Sequence, residues 1–165
     1  MGTKSTLALM GFSFATALAG PVLAHGDEHE KPAINKTVKA EQKPFGIAGD
    51  AKKVSRTITV DMSDEMKYFP AVVKVKMGET IRFRLKNNGN MMHEMVIGTL
   101  PDLQEHSALM KKFPEMEHDE PHMAHVKPGA TEEIVWRFNR PGEFNYACLM
   151  AGHFEAGMIG KAVVK

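Results

Sequence analysis

The sequence predicts an all-β sandwich that carries one short helical insertion between strands. Several runs alternate polar and apolar residues with a period of two, which is typical of strands with one buried face. Turn signals containing glycine separate these runs, and helices do not recur between them as a parallel sheet requires, so we expect antiparallel pairing. With 165 residues, of which 43% are hydrophobic and 25% charged, the chain has the length for one such domain plus appendages.

Three runs show the alternation most clearly. "TIRFRLKN" places Ile81, Phe83 and Leu85 on one face and basic residues on the other. The same spacing in "RTITVDM" and "EEIVWRF" predicts the other inward positions, which are Ile58, Val60, Met62, Ile134, Trp136 and Phe138. Turns are expected between the runs at Met77-Gly78, Asn88-Gly89, Pro128-Gly129 and Pro141-Gly142.

One segment departs from the β pattern. "PDLQEHSALMKKF", residues 101–113, combines helix-forming residues with Leu103, Leu109 and Met110. We therefore expect a short helix that crosses between strands. A loop bearing histidines and methionines follows it before the next strand begins.

The N-terminal residues predict an exported protein. Lys4 precedes the apolar run "LALMGFSFATALAG", and "PVLA" then supplies small or apolar residues for cleavage after Ala24. We expect a signal peptide over residues 1–24, a polar tail over 25–53, a folded domain over 54–165 and a periplasmic location. An uncleaved membrane anchor is the alternative, although the apolar run is shorter than the roughly 20 residues that a spanning helix needs.

The charge balance excludes partners that bind through a strong electrostatic field. The formal net charge is +1, and removal of residues 1–24 takes away only Lys4 among the charged side chains. A near-neutral protein offers no basic surface for nucleic acid. We expect a monomer that binds neither nucleic acid nor, after cleavage, a membrane.

The single cysteine, Cys148, is unusual for an exported protein because oxidising compartments favour paired cysteines. The alternation in "EFNYAC" turns its thiol toward the core together with Phe144 and Tyr146. A small buried hydrophobe is one interpretation of such a residue. A thiolate bound to a metal is the other.

Four donor side chains can converge at one end of the sandwich. "YACLMAGHFEAGM" carries Cys148, His153 and Met158 at intervals of five residues, and His93 points inward in "MHEMVI". Two imidazoles, a thiolate and a distant thioether make the ligand set that accepts copper in both oxidation states. Zinc is the alternative metal, but structural zinc sites favour tetrahedral sets of Cys and His. For His93 and Met158, ordinary core packing is the alternative to metal binding.

These motifs resemble those of a known family. "NGNMMHEMVIG" followed by "GEFNYACLMAGHFEAGMIGKAVV" is similar to the cupredoxins, the type 1 blue copper proteins, and the resemblance covers residues 54–165. It implies a Greek-key cupredoxin β-sandwich with one type 1 copper centre. It also implies that His93, Cys148 and His153 are the strong ligands and that Met158 is the axial ligand. The segment "LQEHSALMKKFPEMEHDEPHM" resembles more narrowly the periplasmic copper-tolerance cupredoxins of the CopI type.

Two further regions are candidates for additional, labile copper. After cleavage, "HGDEHE" would expose an α-amino group beside His25, with His29 nearby, as a Cu(II) chelate; a solvated tail is the alternative. The long segment between Ile97 and Glu132 departs from simple carriers such as plastocyanin and azurin. It supplies the second candidate set, which is His106, Met110, Met116, His118, His122, Met123 and His125. Packed methionines and solvent-exposed histidines are the alternative there.

We therefore predict a periplasmic type 1 copper protein for copper tolerance and handling, with one-electron redox at a centre of two histidines, one cysteine and one methionine. A dedicated electron carrier for a respiratory or oxidase partner is the alternative. An enzyme is not expected, because multicopper oxidases and nitrite reductases need further copper centres and domains, and the chain has no His-x-His pair. The expected partners are copper ions and a redox or copper-transfer protein.

Overall fold

The computed structural model describes Gly2 and residues 40–114, 116 and 118–165. The predicted signal peptide, apart from Gly2, and the candidate ligands His25 and His29 lie outside the described residues. Residues 40–165 fall within one compact unit. Its strands are, in chain order, β1 (Ile47–Ala48), β2 (Arg56–Ser63), β3 (Lys67–Phe69), β4 (Val72–Val75), β5 (Thr80–Asn87), β6 (His93–Gly98), β7 (Met123–Val126), β8 (Thr131–Arg137), β9 (Gly142–Ala147) and β10 (Ile159–Val164).

These strands form two five-stranded sheets. One sheet has the order β1-β8-β5-β2-β3 and the other has the order β4-β10-β9-β6-β7. The all-β sandwich is confirmed, but the pairs β2–β5 and β4–β10 are parallel, so the expectation of antiparallel pairing is wrong for these two pairs. After β3 the chain passes to the other sheet to form β4 and then returns as β5. This crossover through the second sheet makes β2 and β5 parallel neighbours without any helix between them.

The core between the sheets contains the positions that the alternation predicts. Ile81, Phe83 and Leu85 are completely buried. The other predicted inward residues that are buried in this cluster are Val60, Met62, Ile134, Trp136 and Phe138. Ile58 is partly buried and packs against the cluster. Period-two alternation therefore identifies the inner face of each of these strands.

The folded unit begins earlier than the domain boundary placed at residue 54. Phe45 is buried in the core, where its ring stacks on Trp136 with 5.4 Å between centroids. Its carbonyl oxygen accepts the indole N–H at 3.0 Å. β1 follows and pairs with β8, and a 3₁₀ turn spans Ala51–Lys53. Residues 45–49 of the predicted polar tail thus pack on the sandwich, and the Gly49 N–H donates to the Val135 carbonyl oxygen.

A single α-helix, α1 (Leu100–Lys112), is described, and it lies within one residue of the predicted bounds. The Thr99 hydroxyl accepts the N–H of Asp102 and caps the helix. Leu103 and Met110 are buried, whereas Leu109 is 43% exposed. The buried side chains join a second cluster with Val96, Met123, Ala147 and Leu149. Within the described part of the chain, no helix is both long and apolar enough to cross a membrane.

The second cluster changes the environment of β6. A strand with one face in the core should leave alternate residues in solvent, but every residue of His93–Gly98 is buried. Met95 and Ile97 lie in the core between the sheets, and Val96 lies in the cluster with α1. β6 is therefore held from both sides, which fixes the position of its first residue, His93.

Candidate metal centre

Two adjacent strands and one turn bring the four predicted copper ligands to the same end of the second sheet. His93 begins β6, Cys148 follows the last residue of β9, and His153 and Met158 lie between β9 and β10. β6 pairs antiparallel to β9, with Val96 opposite Ala147. The start of one strand therefore lies beside the end of the other, so that His93 and Cys148 meet although they are distant in the sequence.

Three of the four side chains form a compact donor group. One ligand atom each from His93, Cys148 and His153 lies within 4.8 Å of the others. Cys148 Sγ is 3.2 Å from His153 Nδ1, and the two imidazole ring centroids are 5.0 Å apart. Such a group can hold one metal ion that accepts two nitrogen donors and one sulfur donor.

Met158 is completely buried in the turn that carries two of these donors. Its carbonyl oxygen accepts the N–H of Cys148 at 3.1 Å, and its own N–H donates to the carbonyl oxygen of His153 at 3.1 Å. Two glycines of the turn, Gly152 and Gly157, have φ values of 88° and 89°, in the left-handed region that glycine adopts without steric cost. The turn is therefore tight enough to return Met158 to the strand end where Cys148 lies.

The His93 imidazole has one occupied and one free nitrogen. Nε2 lies 3.2 Å from Asp64 Oδ1, whereas Nδ1 is buried and makes no hydrogen bond to any described residue. Buried polar atoms are nearly always paired, so an unpaired one needs an explanation. A metal bound through the Nδ1 lone pair would supply it, and the donor set therefore fits a copper ion.

Burial controls the protonation of the free site. It raises the pKa of the Cys148 thiol to about 12 and lowers the pKa of His153. Without a bound cation, the site therefore holds a protonated thiol and a neutral imidazole at pH 7. A bound cation would stabilise the thiolate, so that metal binding and thiol deprotonation are coupled.

The carboxylates of Asp64 and Glu94 lie beside the His-Cys-His donor group. Neither residue is among those that the sequence predicts for the site. Asp64 lies in the loop between β2 and β3, and its oxygens accept the N–H groups of Asn90 at 2.8 Å and Met91 at 3.2 Å. The Asn90 hydrogen bond is the largest of the effects that hold the pKa of Asp64 below its usual value. Asp64 and His93 are far apart in the sequence, and no local pattern joins them.

Glu94 is the second of these carboxylates, and it is buried directly after His93. One oxygen accepts the N–H of Leu149 at 2.7 Å, and the other lies 2.9 Å from Nε2 of His125. The Tyr68 hydroxyl also donates to the Glu94 carbonyl oxygen at 2.6 Å. Glu94 thus holds the backbone next to Cys148 and connects it to the strand that ends the helical insertion. Its position after His93 is the one signal in the sequence that could have identified it.

The insertion brings most of its candidate ligands together around one pocket of about 440 Å³. Those lining it are His106, Met110, Met116, His118, His122 and Met123. The rings of His106 and His118 are 4.8 Å apart. His125 does not line this pocket and instead contacts Glu94. Among the described residues, the compact three-donor group is that of His93, Cys148 and His153, so the donors of the insertion are less tightly arranged.

The histidines of this pocket are half-buried and not fully exposed. Nε2 of His118 and Nδ1 of His122 are buried without a hydrogen-bond partner among the described residues. The His122 ring lies 5.3 Å from Phe45 and 5.8 Å from Trp136, and burial lowers its pKa to about 4. His122 is therefore neutral at pH 7, with a lone pair available to a soft metal. Met110 and Met123 also pack in the helix cluster, as the packing alternative expects.

Comparison with protein families decides the class of the molecule. The model of the copper-binding proteins of the plastocyanin/azurin family matches residues 54–165. The chain belongs to this family. The cupredoxin is 48% identical over 122 residues to the copper-resistant cuproprotein CopI of Rubrivivax gelatinosus, and the match covers 74% of each chain. It is 30% identical over 191 residues to CopI of Pseudomonas aeruginosa, which covers 98% of this chain and 95% of the relative.

Solved structures agree on the fold. Auracyanin B has a TM-score of 0.61 at 18% identity and covers 76% of this chain and 99% of its own. The reduced auracyanin of Roseiflexus castenholzii has a TM-score of 0.57 at 24% identity and covers 68% and 98%. The predicted cupredoxin fold of the CopI type is confirmed. The group of His93, Cys148 and His153, with Met158 in the turn that carries the last two, fits one type 1 copper centre.

Proposed function

We propose that this cupredoxin is a periplasmic copper-tolerance protein whose type 1 centre undergoes one-electron redox. His93, Cys148 and His153 are the strong ligands in this proposal, and Met158 is the axial ligand. The observation that carries it is the convergence of one donor atom each from His93, Cys148 and His153 within 4.8 Å, and the buried, unpaired Nδ1 of His93 supports it. The names of the CopI relatives, which describe copper resistance, support the biological role.

The protein would contribute a rigid donor set that changes little when the copper gains or loses an electron. When bound, copper supplies a couple between Cu(I) and Cu(II). Thiolate and thioether donors suit Cu(I), while imidazole donors also suit Cu(II). His93 is held at the start of a strand that is buried on both faces, and Cys148 is completely buried. Neither donor can move far without disturbing the core, so a compromise geometry would be retained in both oxidation states.

The visible spectrum of the purified protein after addition of Cu(II) tests the primary site. We expect an intense thiolate-to-copper band, because Cys148 would bond directly to Cu(II). Cys148→Ser should remove the band while circular dichroism stays that of the sandwich. Met150→Leu is the matched control, because it changes a sulfur side chain in the same turn that is not among the proposed ligands. A coloured Cys148→Ser protein would refute the assignment.

The pocket of the insertion supports a second proposal, that His106, His118 and His122, together with its methionines, hold a more labile copper ion. Its thioethers favour Cu(I), and its imidazoles accept either oxidation state. Two of the imidazole nitrogens are buried without a partner among the described residues. His125 would contribute less directly, through its contact with Glu94.

The fluorescence of Trp136 offers a direct measurement of this second site, because it is the only tryptophan in the chain and lies 5.8 Å from the His122 ring. Cys148→Ser disables the primary site. Titration of this variant with Cu(I) should therefore quench the Trp136 fluorescence through copper bound at the second site. Replacing both His106 and His118 with alanine should weaken the quenching and lower the copper stoichiometry. Met77→Leu, in an exposed turn, is the control for general loss of a thioether. Equal quenching in all variants would mean that these side chains do not bind copper and that the insertion serves only for packing.

Export and the N-terminal histidines complete the proposal. We propose that cleavage after Ala24 releases the protein into the periplasm, where the new α-amino group with His25 and His29 chelates Cu(II). Mass spectrometry of the periplasmic fraction tests the cleavage site. Copper stoichiometry of the mature protein, with and without the two histidines replaced by alanine, tests the chelate.

A dedicated electron carrier is the competing function, and one observation favours it. His153 is half-buried and Met91, in the loop that leads to His93, is 40% exposed, so one proposed ligand and an apolar side chain of the adjoining loop both reach the surface. One equivalent of tightly bound copper with reversible redox would favour the carrier. Copper handling would be favoured if the protein bound additional equivalents of copper. It would also be favoured if cells became copper-sensitive when their protein lacked the His and Met side chains of the insertion.

A further inference from the structure

The Asp64 carboxylate receives hydrogen bonds from the loop that leads into β6 and from the first residue of that strand. Oδ1 accepts the N–H of Met91 at 3.2 Å and lies 3.2 Å from Nε2 of His93. Oδ2 accepts the backbone N–H of Asn90 at 2.8 Å and its side-chain amide at 3.4 Å. All of these partners are nitrogen donors, so the carboxylate acts as an acceptor in every contact.

The loop is shaped to allow this approach. A Cβ atom at Gly89 would collide with Asp64 Oδ1, so a glycine is required where the carboxylate enters the loop. The Asn88-Gly89 pair therefore does more than form a turn between strands. It lets an acidic side chain from the β2–β3 loop reach the imidazole of a proposed ligand.

The contact selects one tautomer of His93. In a neutral imidazole, an acceptor at Nε2 requires the proton to lie on Nε2, and Nδ1 then carries the lone pair. Nδ1 is the buried nitrogen without a partner among the described residues, and it belongs to the imidazole that groups with Cys148 and His153. By engaging Nε2, Asp64 thus leaves the Nδ1 lone pair free for a metal held together with Cys148 and His153.

We infer that Asp64 is a positioning residue for His93 that stabilises Cu(II) over Cu(I) at the centre. This inference rests on the proposed function, because it takes His93 as a ligand through Nδ1. A carboxylate that accepts the distal N–H of a ligating imidazole raises the basicity of the ligand. A more basic donor and a nearby negative charge both stabilise the more positive ion. Asp64 therefore lowers the reduction potential of the centre.

Asp64→Asn is the variant that isolates this effect, because the amide has nearly the same shape and lacks the charge. Removing a residue that hydrogen-bonds to a metal ligand typically changes the metal affinity by about 10- to 100-fold. We expect the ratio of Cu(I) affinity to Cu(II) affinity to rise about tenfold, which raises the potential of a one-electron couple by about 59 mV. Spectroelectrochemical titration of the copper-loaded protein measures the potential.

Two matched controls separate this contact from general effects. Asp61→Asn removes a carboxylate that binds the Asn88 side chain of the same loop at 2.7 Å without bonding the imidazole. Glu65→Gln removes an exposed charge adjacent to Asp64 in the chain. Both should shift the potential much less than Asp64→Asn does. Equal shifts in all three variants would overturn the inference, because they would point to loop structure or long-range charge.

The experiment also distinguishes this inference from the proposed function. An Asp64→Asn protein that retains the thiolate-to-copper band and the wild-type potential would overturn the inference and leave the ligand assignment intact. Absence of the band in the wild-type protein would instead refute the proposed function. If Asp64→Asn does not fold, the nitrogen-edited NMR spectrum of the wild-type Cu(I) protein decides. A slowly exchanging Nε2 proton on His93 supports the inference, and a protonated Nδ1 overturns it.

Discussion

Replacing Glu94 with alanine should destabilise the metal-free protein even though no ligand is removed. Its carboxylate is buried, accepts the N–H of Leu149 at 2.7 Å and contacts His125 at 2.9 Å. The alanine variant leaves the buried Leu149 N–H without an acceptor and opens a cavity between β6 and the turn after β9. Glu94→Gln keeps an oxygen that can accept the same N–H and loses only the charge.

The expected free-energy changes follow from these contacts. A buried donor left without its partner costs about 1–3 kcal/mol, and the lost side-chain volume adds to this cost. We therefore expect Glu94→Ala to lower the free energy of unfolding by about 3 kcal/mol. Glu94→Gln should lower it by about 1 kcal/mol, because one hydrogen bond to a charged acceptor becomes a hydrogen bond to a neutral one.

Urea unfolding of the apo-protein, followed by the fluorescence of Trp136, measures both changes. Copper is omitted because a bound ligand adds its own stabilisation to the folded state. Glu133→Ala is the control, since Glu133 pairs with Arg82 and Arg84 on the sheet surface and is 41% exposed; such pairs contribute at most about 1 kcal/mol. If Glu94→Ala lost no more stability than Glu133→Ala, Glu94 would not hold the turn.

Three further predictions test the ligand set, the pH dependence and the packing. Met158→Leu should retain copper, because three strong donors remain, while its reduction potential and visible spectrum shift; complete loss of copper would mean that Met158 is a primary ligand. Burial of Glu79 raises its pKa, but the Lys76 N–H and the Arg56 guanidinium lower it more, so the folded-state pKa lies below the ordinary value of 4.5. The stabilisation by Glu79 is therefore present above pH 4.5 and disappears as the pH falls through the folded-state pKa. Urea unfolding should show Glu79→Gln less stable than wild type at pH 7, and this difference should shrink as the pH falls below 4.5; a constant difference would contradict this. Gly160→Ala places a Cβ against the Tyr146 ring and should cost about 1–3 kcal/mol by overpacking, whereas an unchanged thermal midpoint would show that the ring can move aside.

The strand faces could be predicted from the sequence because alternation is a local property of the chain. Ile81, Phe83 and Leu85 are buried wherever their strand pairs, since side chains two residues apart always share a face. Pairing direction is different, because it depends on which sheet the chain enters next. The crossover through β4 made β2 and β5 parallel, and no pattern within either strand indicates it.

The boundary of the domain and the two-sided burial of β6 were also beyond the local pattern. Phe45 follows a polar stretch. It belongs to the core because its ring stacks on Trp136 and its carbonyl oxygen accepts the Trp136 indole N–H. Val96 looks like an outward residue of a half-buried strand until α1 covers it. In both cases a distant element supplies the partner.

The sequence by itself determined the chemistry available to this protein. Glycines allow the short turn that carries Cys148, His153 and Met158. Strand alternation turns His93 inward. Both effects act over a few residues. Those features predict a soft, imidazole-bearing copper site, and the family match agrees with it. The tertiary structure decided how these donors are held. Only the register between β6 and β9 brings His93 to Cys148, and only loop packing places Asp64 on its Nε2, because such contacts arise from the path of the whole chain and not from the periodicity of any segment.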